Sequence, residues 1–218
     1  MGSRSAPDQD AHSAALSKAW EELSCKDPNL LAEAAGAALA AGRLTMRHFC
    51  EECIVDIAWR SVSFGPREAP PYLAVLALHY VAGCGSASPS GHLITFRELP
   101  GGGLYYSAFR SRSIDPLASA FCSEPGLLLK AGTALCGSPS GISSASIRLS
   151  VFPKLPVTVV VWQGDDEVPG GANILFDDLA PSILPTEDVA VVGSIVCSRL
   201  LRASRGLAAQ QADRDESG

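Results

Sequence analysis

Between Val157 and Trp162 the chain reads Val-Thr-Val-Val-Val-Trp, a continuous β-branched run closed by an aromatic. A strand of this kind has no face to give to water, so it belongs in the middle of a sheet covered on both sides. Tyr72 to Ala82 sets the same condition for a helix. It follows Pro70-Pro71, stops at Gly83 and is apolar nearly all round, which marks a helix enclosed by other elements. A chain carrying both needs a large core, and 218 residues with 47% apolar and 18% charged side chains can build one. The same composition excludes a disordered, collagen-like or coiled-coil chain.

The remaining patterning places helices and strands around these two segments. Ser13 caps a helix in which Leu16, Trp20 and Leu23 share one face, and Asp27-Pro28 opens another that runs through Leu31, Ala35 and Ala38 to Gly42. Residues 44–62 read as a hairpin that turns near Cys50-Glu51-Glu52-Cys53. Thr95-Phe96-Arg97-Glu98 has capping-box spacing, and Pro100-Gly101-Gly102-Gly103 breaks the turn that follows. Helices are expected over Tyr105 to Arg112, after Asp115-Pro116, and from Glu124-Pro125 to Gly137. Strands are expected near 146–152, 157–162 and 172–176, and Thr186 caps a last helix with Val189, Val192, Val196 and Leu200 as its core stripe. The fold class is α+β, a mostly antiparallel sheet packed with helices from the N-terminus, the middle and the C-terminus. Residues 1–12 read as a flexible tail, 13–205 as a single globular domain and 206–218 as a disordered polar tail.

Charge and sorting signals narrow the partners. With 17 basic and 23 acidic residues the net charge is −6, which argues against nucleic acid or an anionic membrane as partner. The first ten residues have no apolar core of a secretory signal, and Ala6 stands where a myristoylation motif needs Ser or Thr. The most apolar stretches, Leu73 to Val81 and Val157 to Trp162, fall far short of the ~20 residues that span a bilayer. Seven scattered cysteines without a signal read as reduced thiols of a cytoplasmic protein.

Four groups of residues carry possible chemistry. Cys50 and Cys53 form the one C-x-x-C; across a tight turn they would face each other as a redox pair or half a metal site, with His48 as a third ligand. Small hydrophobes at a turn are the plainer reading. His79 sits mid-helix among apolar residues, either a core histidine or a buried ligand or base. Arg97, Tyr105, Tyr106, Arg110 and Arg112 surround the turn at Gly101, Gly102 and Gly103. Glycines admit a ligand to backbone N–H groups, and Arg forks bind carboxylate or phosphate. This is the chain's best candidate for a small anionic ligand, without Walker or dinucleotide spacing. The acidic groups Asp165-Asp166-Glu167, Asp177-Asp178 and Glu187-Asp188 could hold a hard cation, though helix caps and Arg partners explain several. Nucleophilic catalysis has little to stand on: there is no Gly-x-Ser-x-Gly elbow, and His12 lies in the tail.

A set of these motifs resembles a known family. Leu78-His79-Tyr80, Thr95 through Gly102, Tyr105-Tyr106 and Phe109-Arg110 are similar to the domain of unknown function 3786 family. So are Pro156, Trp162 through Glu167, Ile174-Leu175-Phe176-Asp177 and Leu184 through Asp188. The resemblance runs from about Ala14 to Leu201. It implies anaerobic bacteria and archaea as the setting and no agreed activity. Members that carry an added cysteine-rich iron–sulfur domain point to redox or corrinoid one-carbon metabolism. This chain departs from them in having no four-cysteine run at either end.

The leading expectation is a cytoplasmic, non-catalytic accessory protein that binds a small anionic molecule or a partner enzyme. Its site is formed by Arg97, Gly101, Gly102, Tyr105, Tyr106 and Arg110, with Asp165 and Glu187 near by. The alternatives are a redox or metal-handling enzyme using Cys50, Cys53 and His48 or His79, and a scaffold without ligand. No cofactor is named by the sequence.

Overall fold

The computed structural model describes residues 6–143, 145–164 and 169–215. The chain divides into two compact units. The first holds the residues up to Ser88 with Phe152–Lys154 and Ser182–Leu184, and the second holds Pro89–Val151, Leu155–Pro181 and Pro185 onward.

In the first unit, helices α1 (Ala6–Ser24) and α2 (Pro28–Ala35) precede a five-stranded antiparallel sheet in sequential order. Its strands are β1 (Ala38–Ala40), β2 (Arg43–His48), β3 (Glu51–Asp56), β4 (Ser61–Phe64) and β5 (Arg67–Glu68). Helix α3 (Pro71–Gly83) follows. Asp27 caps α2 as its sequence demands, accepting from the Asn29 N–H at 2.7 Å, with Pro28 in the first turn and Gly36 left-handed at the C-terminal end.

Helix α3 is the enclosed helix. Every residue from Leu73 to Leu78 is buried, and so are Tyr80 and Val81. Gly83 closes it where a Cβ would overlap the Ile183 carbonyl oxygen, so glycine is required there for close approach. Tyr80 stacks on Phe152 with ring centroids 4.5 Å apart. Its hydroxyl donates to the Ala35 carbonyl at 2.8 Å and accepts from the Lys154 N–H at 2.9 Å. One buried phenol thus satisfies backbone groups of two other segments, and burial raises its pKa above the ordinary tyrosine value.

The second unit holds a separate antiparallel sheet in the order β6-β10-β9-β8-β7. Its strands are β6 (Leu93–Thr95), β7 (Ser138–Pro139), β8 (Ser146–Phe152, reaching Val151 within this unit), β9 (Leu155–Trp162) and β10 (Gly171–Asp177). The β-branched run forms β9, the middle strand, buried at each position from Leu155 to Val159 and at Val161. Its neighbour β8 alternates as predicted, with Ile147, Leu149 and Val151 inside and Arg148 and Ser150 exposed. Each fully buried valine or leucine here contributes roughly 1.5–3 kcal/mol.

Helices α4 (Gly102–Phe109), α5 (Asp115–Phe121) and α6 (Pro125–Thr133) follow β6, with one wider π-type turn at Arg110–Ile114. After β10 come the short α7 (Ala180–Ile183, shared with the first unit at its end) and the long α8 (Thr186–Asp215). The predicted stripe of α8 is buried, with Val189, Val192, Val196 and Leu200 all at 0% exposure. On the same helix Gly193 admits the Phe109 ring, which a Cβ would overlap.

The α+β class stands, with all strand pairs antiparallel. The strands near 44–62 and those after 146 belong to two sheets, because each enclosed element gathers its own layer. The hairpin register also differs from expectation. Its turn is Phe49-Cys50, with Phe49 at φ 52°, and Met46 faces Cys53 across the ladder. Cys53 is therefore a strand residue rather than one side of a two-residue loop. α1 starts before the Ser13 cap, and α8 continues through Gly206 to Asp215.

Tyr80→Phe keeps the ring stack and removes the hydroxyl between Ala35 and Lys154. Urea unfolding is expected to show a loss of about 1–3 kcal/mol, the cost of leaving buried backbone groups unsatisfied.

Candidate functional site

The segment from Thr95 to Arg112 is built on a small aromatic anchor. Phe96 is 1% exposed and stacks on Phe109 of α4, with centroids 3.9 Å apart and rings 6° from parallel. The single helical turn Phe96–Glu98 is locked by the predicted capping pair. The Glu98 carboxylate accepts from the Thr95 N–H at 2.7 Å and from its hydroxyl at 2.8 Å. These bonds hold the Glu98 pKa below the ordinary glutamate value.

With Phe96 turned inward, Arg97 points outward, and its guanidinium carbon lies 3.9 Å from the Tyr106 ring centroid. The cation–π contact fixes both side chains on one surface. Arg110 is tied by its Nε to the Asp115 carboxylate at 2.9 Å, and that carboxylate raises the guanidinium's pKa above its usual value.

The glycines serve the chain reversal. Gly101 is left-handed at φ 72°. At Gly102 a Cβ would overlap the Phe96 carbonyl oxygen, and its N–H donates to the Leu99 carbonyl at 2.8 Å. The Gly102 N–H is thus already engaged, whereas the sequence suggested that it faces a ligand. Thr186 donates its hydroxyl to the Pro100 carbonyl at 2.7 Å, which seats the start of α8, with exposed Glu187, against this turn. Asp165 lies outside the described residues.

Arg97, Gly101, Gly102, Tyr106, Arg110 and Glu187 therefore gather around one segment, and α4 adds a residue the sequence reading passed over. Leu104 is 87% exposed and Tyr105 beside it 51%. Leu104 is five positions from buried Phe109, about 140° away on a helix of 3.6 residues per turn. That phase is legible in the sequence, but the glycines and tyrosines around it have the composition of a ligand loop and mask it.

The cysteine and histidine residues do not assemble as the C-x-x-C suggests. Cys50 is disulfide-bonded, whereas Cys25, Cys53, Cys84, Cys122 and Cys197 are free. This corrects the expectation of reduced thiols throughout, since scattered cysteines carry no spacing from which a bridge can be read. Cys53 is fully buried, and burial pushes its thiol up to about 12; Cys197 is pushed up to about 11 by the same cause. His48 is also fully buried, its ring 4.6 to 4.9 Å from those of Phe49, Phe64 and Phe152. His79 is half-buried on α3. Among the described residues no group of three or more His, Cys, Asp or Glu is placed to hold a metal ion.

The acidic pair after β10 is structural. Asp177 is 1% exposed and accepts from the N–H groups of Ser90, Gly91 and Leu179 at 3.2, 2.8 and 3.1 Å. Asp178 accepts from the Ser90 hydroxyl at 2.6 Å and lies 3.4 Å from His92 Nδ1. Together they fasten the strand entry at residues 90–92. Among the described residues no helix is long and apolar enough to cross a membrane.

Comparison with family models matches residues 27–199 to the domain of unknown function 3786. The chain belongs to that family. No curated protein and no solved structure matches it. Within the DUF3786 match fall both enclosed elements and the whole Thr95–Arg112 segment.

Two measurements check this geometry. Because the Glu98 pKa is lowered in the folded state, its stabilisation is present above the unfolded carboxyl value and lost as pH falls through the folded one. Glu98→Gln is expected to flatten that acid limb in thermal melts. Iodoacetamide at neutral pH is expected to label exposed Cys25 in the folded protein and to reach Cys53 and Cys197 only in denaturant, read by peptide mass spectrometry.

Proposed function

We propose that this DUF3786 member is a non-catalytic accessory protein that docks a partner protein on the α4 surface. The observation that carries the reading is Leu104, 87% exposed on a helix whose opposite side is buried. Tyrosine and arginine are the residue types enriched at binding hot spots, and exposed Tyr105 with Arg97 on the neighbouring turn supplies both beside Leu104. Arg97 and Arg112 add positive charge at the rim, on a chain whose net charge is −6. The partner segment is acidic with an apolar side chain of its own. A phosphorylated or corrinoid ligand is the second possibility that the sequence raised. The engaged N–H of Gly102 and the Arg110–Asp115 pair favour the protein partner over it. The setting, anaerobic one-carbon metabolism in the cytoplasm, is proposed on the family resemblance alone.

The test places a photo-crosslinking amino acid at position 104 in the source cell, with a control at exposed Trp59. One protein species cross-linked from 104 and absent from the control is expected, and Arg97→Ala with Tyr105→Ala should reduce it at least about tenfold. Cross-linking that is absent, or unaffected by both substitutions, overturns the reading. A thermal shift with phosphorylated or corrinoid compounds, lost in the same variants, would replace it with the small-ligand reading.

A further inference from the structure

The first unit contains a cleft of about 410 Å³ that the docking surface does not involve. Its lining comes from α1, from the start of α3 and from strands β4 and β5. Leu16, Trp20, Val62 and Ala74 supply apolar surface, and Pro70 and Pro71 supply a stiff wall. The volume is in the range of small-molecule sites, and the exposed lining mixes polar and apolar surface.

Two opposite charges, Arg60 and Glu68, line the same cleft. Among the described residues neither makes an ion pair or a side-chain hydrogen bond, with the other or with any third group. In the same sheet Asp56 is engaged, accepting from Arg43 Nε at 2.8 Å and from the Trp59 N–H at 3.0 Å. That second bond ties down the turn that ends in Arg60, whose backbone is left-handed at φ 48°. An arginine in that conformation costs energy that a glycine would not. The turn keeps an arginine there, in the lining of a cleft that also holds an acid it does not pair with.

We propose that this cleft binds a small zwitterion, a molecule with an apolar body, one carboxylate and one ammonium group. Arg60 takes the carboxylate through its planar fork, and Glu68 takes the ammonium. The apolar body lies against Trp20, Val62 and Leu16. A ligand with one charge satisfies only one of the two rim groups, so discrimination comes from the pair. Free amino acids with large apolar side chains are the simplest members of this class.

The test is calorimetric titration of the full chain with L-phenylalanine, 3-phenylpropanoate and 2-phenylethylamine at up to roughly millimolar concentration. These share one apolar body and differ only in charge. L-Phenylalanine is expected to bind at least about tenfold more tightly than either singly charged analogue. Arg60→Gly, which suits the left-handed backbone and so preserves the fold, and Glu68→Gln should each weaken it by about the same factor. Cross-linking from position 104 should be unchanged in both variants. No binding of L-phenylalanine, equal binding of the three probes, or unaltered affinity in either variant overturns the assignment.

Discussion

An element with no polar face can only be a centre, and this chain contains two. Helix α3 and strand β9 each present apolar groups in every direction, so each must be wrapped by other elements. The first unit is what it takes to enclose α3, and the second is what it takes to enclose β9. Burial at that density leaves polar backbone no access to water, so every donor and acceptor near the centre needs a partner inside the protein. The Tyr80 hydroxyl does this in the first unit, bridging a helix end and a hairpin tip. The Asp177 carboxylate does it in the second, taking three backbone N–H groups.

Tight enclosure also explains where glycine is unavoidable. Gly83, Gly102 and Gly193 each sit where a Cβ would overlap a carbonyl oxygen or an aromatic ring. Gly102 matters most for the candidate site. Its close approach to Phe96 sets the angle at which α4 leaves the turn, and with it the side from which Leu104 and Tyr105 emerge. The Phe96–Phe109 stack fixes the other end of the same helix. The docking surface is therefore positioned by packing rather than by its own contacts.

The parts of the fold legible in the sequence were those governed by local periodicity and capping. Val157 to Trp162, the alternation at 146–152, Asp27-Pro28 and the Thr95–Glu98 pair all took the predicted form, because each depends on neighbours within a few residues. What escaped depends on partners far along the chain. The short edge strands β1, β5, β6 and β7 have two or three residues each, too few to show a period. The division of the strands between two sheets is a property of pairing, which no single strand carries. Cys50 and Cys53 looked like a pair because of their spacing, but ladder register places Cys53 opposite Met46. At the site, Arg97 and Tyr106 came together as their crowding suggested, whereas the role of Gly102 was set by the Phe96 carbonyl, invisible from sequence.

Charge makes the final distinction between scaffold and surface. Arg43 and Arg110 are each held by a carboxylate, Arg97 by an aromatic ring, and Asp177 by backbone. Those groups are spoken for, and their geometry is explained by the fold they stabilise. Arg60, Glu68 and exposed Leu104 are not explained in that way. A strained arginine and an unmated acid lining one cleft do nothing for folding, and neither does a leucine turned to water. Exposed single charges cost little, so stability alone exerts almost no pressure on them in either direction. Their arrangement is informative because three independent features, cavity, charge pair and backbone strain, fall on the same few residues. The same reasoning separates α4 from the cleft: one offers a convex apolar anchor suited to a macromolecule, the other a concave site of small-molecule size.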